Sequence, residues 1–306
     1  MLKSQDVVAV FTTYEPNRSF IKNIDVMSKQ VRSIIIVDDG SKIPASLDIL
    51  TICSFNEKVI LYRNEENSGI ADALNRGIEI ASKNGFDWMI TMDQDSEPAH
   101  DFVHQLCTSL NSFEFNENVA LVTPKIIDAS NPNKIGKLLI NDSKFCFKLA
   151  EMSYRDRNDL LLSITSGCLT SISKVREVGG FPSEYFIDYV DSCLSLRLIQ
   201  SGCKIAYSSK AKLLHNLGNP ESKKLLRYQV RTLNHSSFRR YYIARNTTFM
   251  YREFYRTFPS WVIYDGYIGI YSLISILLFE RNKLKKLGYS LKGFYHGLLG
   301  VKGKRH

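Results

Sequence analysis

Short runs of strand-forming residues recur along the first part of the chain, and each ends at polar residues. Val7-Val8-Ala9-Val10-Phe11 is followed by Thr12-Thr13-Tyr14-Glu15-Pro16, and Ser33-Ile34-Ile35-Ile36-Val37 stops at Asp38-Asp39-Gly40-Ser41. Val59–Tyr62, Trp88–Met92 and Val119–Thr123 repeat the pattern. Between them lie stretches of helical period. Pro16 opens one that runs to about Gln30. Asn67-Ser68-Gly69 opens another, with Ile70, Leu74, Ile78 and Ala81 on one stripe and Asn84-Gly85 as its stop. A third starts at Pro98 and runs to about Ser112. Continuous apolar strands alternating with crossover helices predict a mostly parallel, doubly covered sheet, and the first ~120 residues have the size of a nucleotide-binding half-domain.

From Lys125 to Asp159 the periodicity is poor, and only loops and short strands are expected. Strand character returns in Ser163–Ser173 around Gly167, and Val178-Gly179-Gly180-Phe181-Pro182 reads as a turn. A helix is entered through Tyr185-Phe186-Ile187-Asp188-Tyr189-Val190-Asp191 and ends near Gly202. Two short strands follow, Lys204–Tyr207 and Ala211–Leu214, the second running into His215.

The tail differs. Arg239-Arg240-Tyr241-Tyr242-Ile243-Ala244-Arg245-Asn246 mixes cations and aromatics on an expected helix. Trp261–Phe279 is nearly apolar but carries Asp265, Gly266 and Gly269. A helix lying in a membrane interface fits this pattern better than a full span, and a core helix is the plainer alternative. The division expected is a catalytic domain over 1–220 and a basic, aromatic helical extension over 221–306.

Charge sharpens that division. The chain is 306 residues long with net charge +9; residues 221–306 hold 17 Lys/Arg against 4 Asp/Glu, so the first 220 residues are slightly acidic. A basic tail calls for an anionic surface or ligand. Six scattered Cys without a Cys-x-x-Cys pair read as reduced thiols, and the first residues lack an apolar signal core. A cytoplasmic location, peripheral on the inner face of the cell membrane, is the expectation.

The candidate chemistry lies where strands end. Asp93 and Asp95 follow Trp88–Met92, at the edge where open α/β sheets bind ligands, and alternation puts both side chains on one side. Two such carboxylates can share a divalent cation, and His215 can add a neutral nitrogen; a solvated turn and a structural histidine are the bland alternatives. Asp38 and Asp39 can accept hydrogen bonds from a base and a ribose, or simply close a βα turn. Asp188 and Asp191, three apart at a helix start, are expected on one helix face, with helix-dipole compensation as the alternative. Together these groups suit displacement at a sugar carbon with a nucleoside diphosphate leaving. That needs a base for the attacking hydroxyl, Asp188 or the competing Asp191, and gives inversion.

The ordered set Thr12-Thr13-Tyr14, Asp38-Asp39-Gly40-Ser41, Asn67-Ser68-Gly69, Asn75-Arg76-Gly77, Asp93-Gln94-Asp95-Ser96 and Gly179-Gly180-Phe181 resembles family 2 glycosyltransferases of the GT-A fold. Thr165-Ser166-Gly167, Phe186–Asp191, His215 with Gly218, Arg240-Tyr241-Tyr242 with Arg245-Asn246, and the closing Gly293, Gly297, Gly300 and Gly303 resemble the bacterial rhamnosyltransferases of that family. The resemblance implies a hexosyltransferase using dTDP-L-rhamnose, Mg²⁺ or Mn²⁺, and a lipid-diphosphate-linked saccharide acceptor, in surface polysaccharide (O-antigen or capsule) synthesis. It implies a GT-A (Rossmann-like) mixed sheet. It places Thr12, Tyr14, Asp38, Asp39, Asn67, Gly69, Asn75, Arg76, Asp93 and Gln94 on the donor, and Asp93, Asp95 and His215 on the metal. It implies that Arg240, Tyr241, Tyr242, Arg245 and Asn246 close over diphosphate or acceptor. Tyr189 stands where the family often has an acid, which leaves Asp188 and Asp191 both open as base. Three other readings compete: a UDP-sugar donor, a sugar nucleotidyltransferase, and a non-catalytic binder of anionic ligands. The Thr12–Pro16 turn has no Gly, which counts against the nucleotidyltransferase, and no nucleic-acid partner is expected.

Overall fold

The computed structural model describes residues 1–113, 118–133, 135–143, 146–152, 155–215, 221–225, 228–232 and 234–305. Gly218 and the expected boundary at 220 lie outside them. The chain divides into two compact units. The first comprises Met1–Ile140, Leu149–Ser183 and Val190–Asn216; the second comprises Asn141–Lys148, Glu184–Tyr189 and Leu217–His306.

The first unit opens with β1 (Val7–Thr13), α1 (Ser19–Ser28), β2 (Ser33–Asp38), α2 (Pro44–Ser54), β3 (Val59–Arg63), α3 (Ile70–Lys83) and β4 (Trp88–Asp93). Next come β5 (Glu97–Pro98), α4 (Phe102–Ser112) and β6 (Val119–Asp128). A two-stranded ribbon, β7 (Lys137–Ser143) and β8 (Cys146–Glu151), whose stretch Asn141–Lys148 is counted with the second unit, precedes β9 (Cys168–Ser171), α5 (Ile172–Glu177), α6 (Val190–Gln200) and β10 (Lys204–His215). Eight strands form one sheet in the order β3-β2-β1-β4-β9-β6-β10-β5. β1, β2, β3 and β4 run parallel, β10 runs parallel to β6, and β9 is antiparallel to both its neighbours.

All seven residues of β1 are buried, as a central strand covered on both faces requires, whereas β3 at the edge exposes Ile60 and Tyr62. The apolar stripe of α3 faces the sheet through Ala73, Leu74, Ile78 and Ala81. Gly77 lies so close to Val10 that a Cβ would overlap the valine methyl. Chain order reverses at β1, which lies between β2 and β4. Thr12 and Asp93 are register partners there, so the crevice beyond these strand ends is the switch point at which such sheets bind ligands.

Three local expectations are revised. Glu97–Pro98 pairs with Leu213 and Leu214 as a strand, and the helix begins only at Phe102. The two strands expected in 204–214 are one, β10, with a register shift between Tyr207 and Lys212. Most consequentially, Asp188 is not in the helix. α6 starts at Val190, while Phe186, Asp188 and Tyr189 hold left-handed backbone at φ 64°, 64° and 63°. Asp188 and Asp191 therefore do not share a helix face.

The second unit contains an antiparallel ribbon, β11 (Glu221–Leu225) with β12 (Tyr228–Thr232), then α7 (Ser237–Phe254), α8 (Pro259–Phe279) and α9 (Lys283–Leu298). α7 and α9 pack with their backbones almost in contact. A Cβ on Gly293 would collide with the Tyr241 carbonyl, and one on Gly297 would lie 2.7 Å from the Arg245 carbonyl oxygen. α8, 21 residues long and mostly exposed, is long and apolar enough to cross a membrane by length and composition. Its surface presents Ile263, Tyr267, Ile270, Leu277 and Leu278.

Candidate active site

Asp93 ends β4 and Asp95 follows in the turn to β5. Pairing of β5 with the far end of β10 brings His215 to the same place. One ligand atom from each of Asp93, Asp95 and His215 lies within 4.8 Å of the others. That span suits a hard divalent cation, whose bonds of about 2.0–2.6 Å put opposed ligands roughly 4–5 Å apart.

Two serines orient the set. Ser96, fully buried, lies 2.7 Å from His215 Nδ1 through its hydroxyl, which leaves Nε2 for a ligand. Ser166 donates a short hydrogen bond to Asp93 Oδ2. Burial pushes the Asp93 carboxyl up; the Ser166 hydrogen bond and the His215 charge oppose this, and the neighbouring Asp95 charge adds to the rise. Crowded acids beside an imidazole nitrogen form a donor set that a bound cation would relieve, so the residues present fit the ion.

The other expected donor residues divide by what they touch. Thr12 is buried beside Asp93 and Tyr14 is half exposed. Gln94 turns its side chain to β1, accepting at Oε1 from Thr13 Oγ1 (2.6 Å) and the Tyr14 N–H (2.9 Å). Asp38 is fully buried and accepts from the Ser41 hydroxyl and Arg63 Nε. Asp39 accepts from Asn64 Nδ2, the Ser68 N–H and hydroxyl, and the Gly69 N–H, all at 2.9 Å. It thereby holds the 64–69 turn, which includes Asn67, at the start of α3. Asn75 clasps the Gly179-Gly180 turn, donating to the Phe181 carbonyl and accepting from the Phe181 N–H at 2.8 Å each. Arg76 lies over the Tyr62 ring and pairs with Glu79. Asn75 and Arg76 line a separate polar cavity of about 670 Å³.

In the second unit the aromatic-basic helix is turned inward. Arg245, Asn246, Tyr241 and Tyr242 are at most 1% exposed and Arg240 is 5% exposed. Asn246 Nδ2 donates to the carbonyls of Tyr185 (3.0 Å), Ile187 (2.7 Å) and Asp188 (3.0 Å). Arg245 donates to the carbonyls of Glu184 and Tyr185 and to that of Gly303. Of the residues that the resemblance places over a ligand, Arg245 and Asn246 use their polar atoms to hold the left-handed loop that carries Asp188. Arg240 pairs with Glu280, which also takes Lys286. Both Asp188 oxygens accept from Arg239, at 2.8–3.1 Å. Asp191, in the first turn of α6, accepts from the Ser192 N–H. The serines Ser96 and Ser166 stand inside motifs visible in the chain, but no local pattern assigned them to ligand orientation.

The family model described as "Glycosyl transferase family 2" matches residues 18–173, and the chain belongs to that family. Its fold is GT-A, and the protein is a glycosyltransferase. Among characterised proteins it is similar to the dTDP-rhamnosyl transferase RfbF of Shigella flexneri, with 26% identity over 304 residues, 98% of this chain and 97% of that one. Among solved structures, the mannosyltransferase PcManGT of Pyrobaculum calidifontis, in complex with GDP-Man and Mn²⁺, aligns with TM-score 0.56 and 13% identity over 96% of this chain and 75% of that one. GalNAc-T7 with UDP, GalNAc and Mn²⁺ aligns with TM-score 0.54 and 16% identity over 70% of this chain; the match spans 45% of that structure's chain.

Proposed function

We propose that this protein is an inverting, cation-dependent hexosyltransferase. It moves L-rhamnose from dTDP-L-rhamnose to a hydroxyl of a lipid-diphosphate-linked saccharide, in bacterial O-antigen or capsule synthesis. The observation that carries the reading is the Asp93–Asp95–His215 cluster at the β1/β4 switch point, with the near-full-length similarity to a dTDP-rhamnosyl transferase in support. Mg²⁺ or Mn²⁺ bound there would neutralise a departing nucleoside diphosphate, so no general acid is required.

The protein's own groups do the rest. Ser166 and Ser96 keep Asp93 and His215 in place. A carboxylate accepts the acceptor's hydroxyl proton as the new O–C bond forms and the sugar–phosphate bond breaks on the opposite side. Asp188 is the proposed base and Asp191 the competitor. Asp188 must exchange its Arg239 hydrogen bonds for the acceptor hydroxyl. Replacing each by Asn separately decides between them: the base variant loses transfer while keeping donor affinity, and the other retains transfer. Thr12 and Tyr14 are proposed to contact the nucleotide at the end of β1.

A thermal-shift panel of nucleotide sugars with and without Mn²⁺ tests donor and cation together. Stabilisation by dTDP-rhamnose that requires Mn²⁺ and vanishes in Asp93→Asn is the expected result. Equal or greater stabilisation by a UDP sugar refutes the rhamnosyl assignment.

We also propose a peripheral position on the cytoplasmic membrane face. The exposed apolar surface of α8, beside cations of α9 such as Lys283, Lys285 and Lys292, suits an anionic bilayer. Flotation with anionic but not with neutral vesicles is expected; indifference to lipid charge refutes it.

A further inference from the structure

Asp265 is the one Asp, Glu, Lys, Arg or His between Pro259 and Phe279, in a helix that otherwise exposes apolar residues. It is half-buried, and its carboxylate is occupied by two phenols. The Tyr189 hydroxyl donates to Oδ1 and Oδ2 at 3.0 and 2.9 Å, and the Tyr251 hydroxyl donates to Oδ2 at 3.0 Å. A carboxylate taken out of water is costly unless hydrogen bonds satisfy it. Burial pushes the Asp265 carboxyl up, and the two phenol bonds oppose that rise. Burial and the Asp265 charge also push the Tyr189 phenol well up, so it stays protonated and remains a donor.

The two phenols come from different places. Tyr251 lies on α7, so its bond alone ties α8 to α7. Tyr189 lies on neither helix. It ends the 184–189 loop of the same unit, directly after Asp188. Asn246 holds that loop through the carbonyls of Tyr185, Ile187 and Asp188. The Tyr189 side chain is held by Asp265, with the Thr247 hydroxyl oxygen 3.1 Å from its phenol oxygen. Tyr189 is itself left-handed at φ 63°, a conformation that a non-glycine residue keeps only when its surroundings fix it. The loop is thus fixed by its backbone to α7 and by a side chain to α8. Fixing matters because Asp188 is already engaged. Both of its oxygens accept from Arg239, and it must release these bonds to take a proton from an acceptor hydroxyl. Once released, the carboxylate keeps its direction only if the backbone beside it stays in place, and a displaced reacting group costs rate steeply.

We propose that Asp265 is a positioning residue for sugar transfer. Through the Tyr189 phenol it fixes the backbone next to Asp188, so the base stays aimed after leaving Arg239. This rests on the transferase reading and on Asp188 as its base.

Tyr189→Phe and Tyr251→Phe make a matched pair, because each removes a phenol that donates to the same carboxylate. Full-length variants are compared by the rate at which labelled rhamnose passes from dTDP-L-rhamnose, with Mn²⁺, into the extractable lipid of bacterial membranes. A purely structural role for Asp265 predicts that both variants lower the melting temperature and the rate alike. The positioning role predicts that kcat falls at least about tenfold in Tyr189→Phe at unchanged donor KM, and stays within about twofold in Tyr251→Phe. Asp265→Ala should match Tyr189→Phe. The double variant Asp265→Ala/Tyr189→Phe should lose no more than either single change, because each breaks the same link. Equal losses in the matched pair, an unchanged kcat in Tyr189→Phe, or multiplied losses in the double variant would overturn the proposal. If the unaltered protein transfers no rhamnose, the transferase reading fails and takes this one with it. If it does transfer and the matched pair behaves alike, only the positioning role fails.

Discussion

Replacing Asn246 by Ala should release the loop that carries Asp188. Asn246 is fully buried, and its amide donates to three carbonyls of residues 185–188 while its oxygen accepts from Arg245 Nε at 3.0 Å. Removing the amide leaves the Ile187 and Asp188 carbonyls and the Arg245 Nε without these bonds; the Tyr185 carbonyl keeps Arg245 Nη2 at 2.8 Å. At about 1 kcal/mol for each orphaned group the loss is about 3 kcal/mol. The bonds oppose real strain, since each left-handed non-glycine residue costs roughly 1–2 kcal/mol and the loop has three. Without them the backbone at 186–189 is expected to leave the left-handed region. The assay is amide hydrogen exchange across Phe186–Val190, where opening should become about a hundredfold more frequent, the equivalent of about 3 kcal/mol. Acceptor transfer should fall while donor binding persists. Exchange accelerated by less than about threefold, under 1 kcal/mol, would refute the reasoning.

Three further outcomes follow from the geometry. His235 is depressed from 6.5 to about 4, so between those pH values the unfolded chain takes up a proton that the folded chain refuses. Stability is fully present above pH 6.5 and falls as pH drops through the window, by about 1–2 kcal/mol after discounting for partial exposure. His235→Gln should flatten that portion of a denaturant-midpoint profile; an unchanged slope contradicts it. Gly293→Ala should force α7 and α9 apart at the Tyr241 carbonyl and cost about 1–3 kcal/mol, read as a lowered melting temperature. Asp39→Asn should place an amide donor against donors at the start of α3, costing about 2–3 kcal/mol in urea unfolding even without nucleotide; a loss confined to donor affinity would instead mean that the carboxylate serves the base alone.

Much of the first unit was legible because its signals are local. Val7–Phe11, Ser33–Val37 and Trp88–Met92 are continuous apolar runs of a length that suits only covered strands, and their polar stops mark the sheet edge where ligands bind. The Asp93–Asp95 pair and the α3 stripe follow from periods of two and 3.6. What the chain alone could not decide depends on partners distant in sequence. Asp188 looks helical by its neighbours, yet left-handed backbone there is sustained by Asn246, some sixty residues away. Arg240, Arg245 and the tyrosines, which the family resemblance places over a ligand, are buried along a helix crossing closed by Gly293 and Gly297, a packing that composition does not encode. His215 meets Asp93 and Asp95 because β5 pairs with the end of β10, a pairing no local period encodes. Local pattern determines which segments are buried and where they stop; whether a polar side chain is spent on a ligand or on the backbone is settled by whichever carbonyl or carboxylate folding brings within reach.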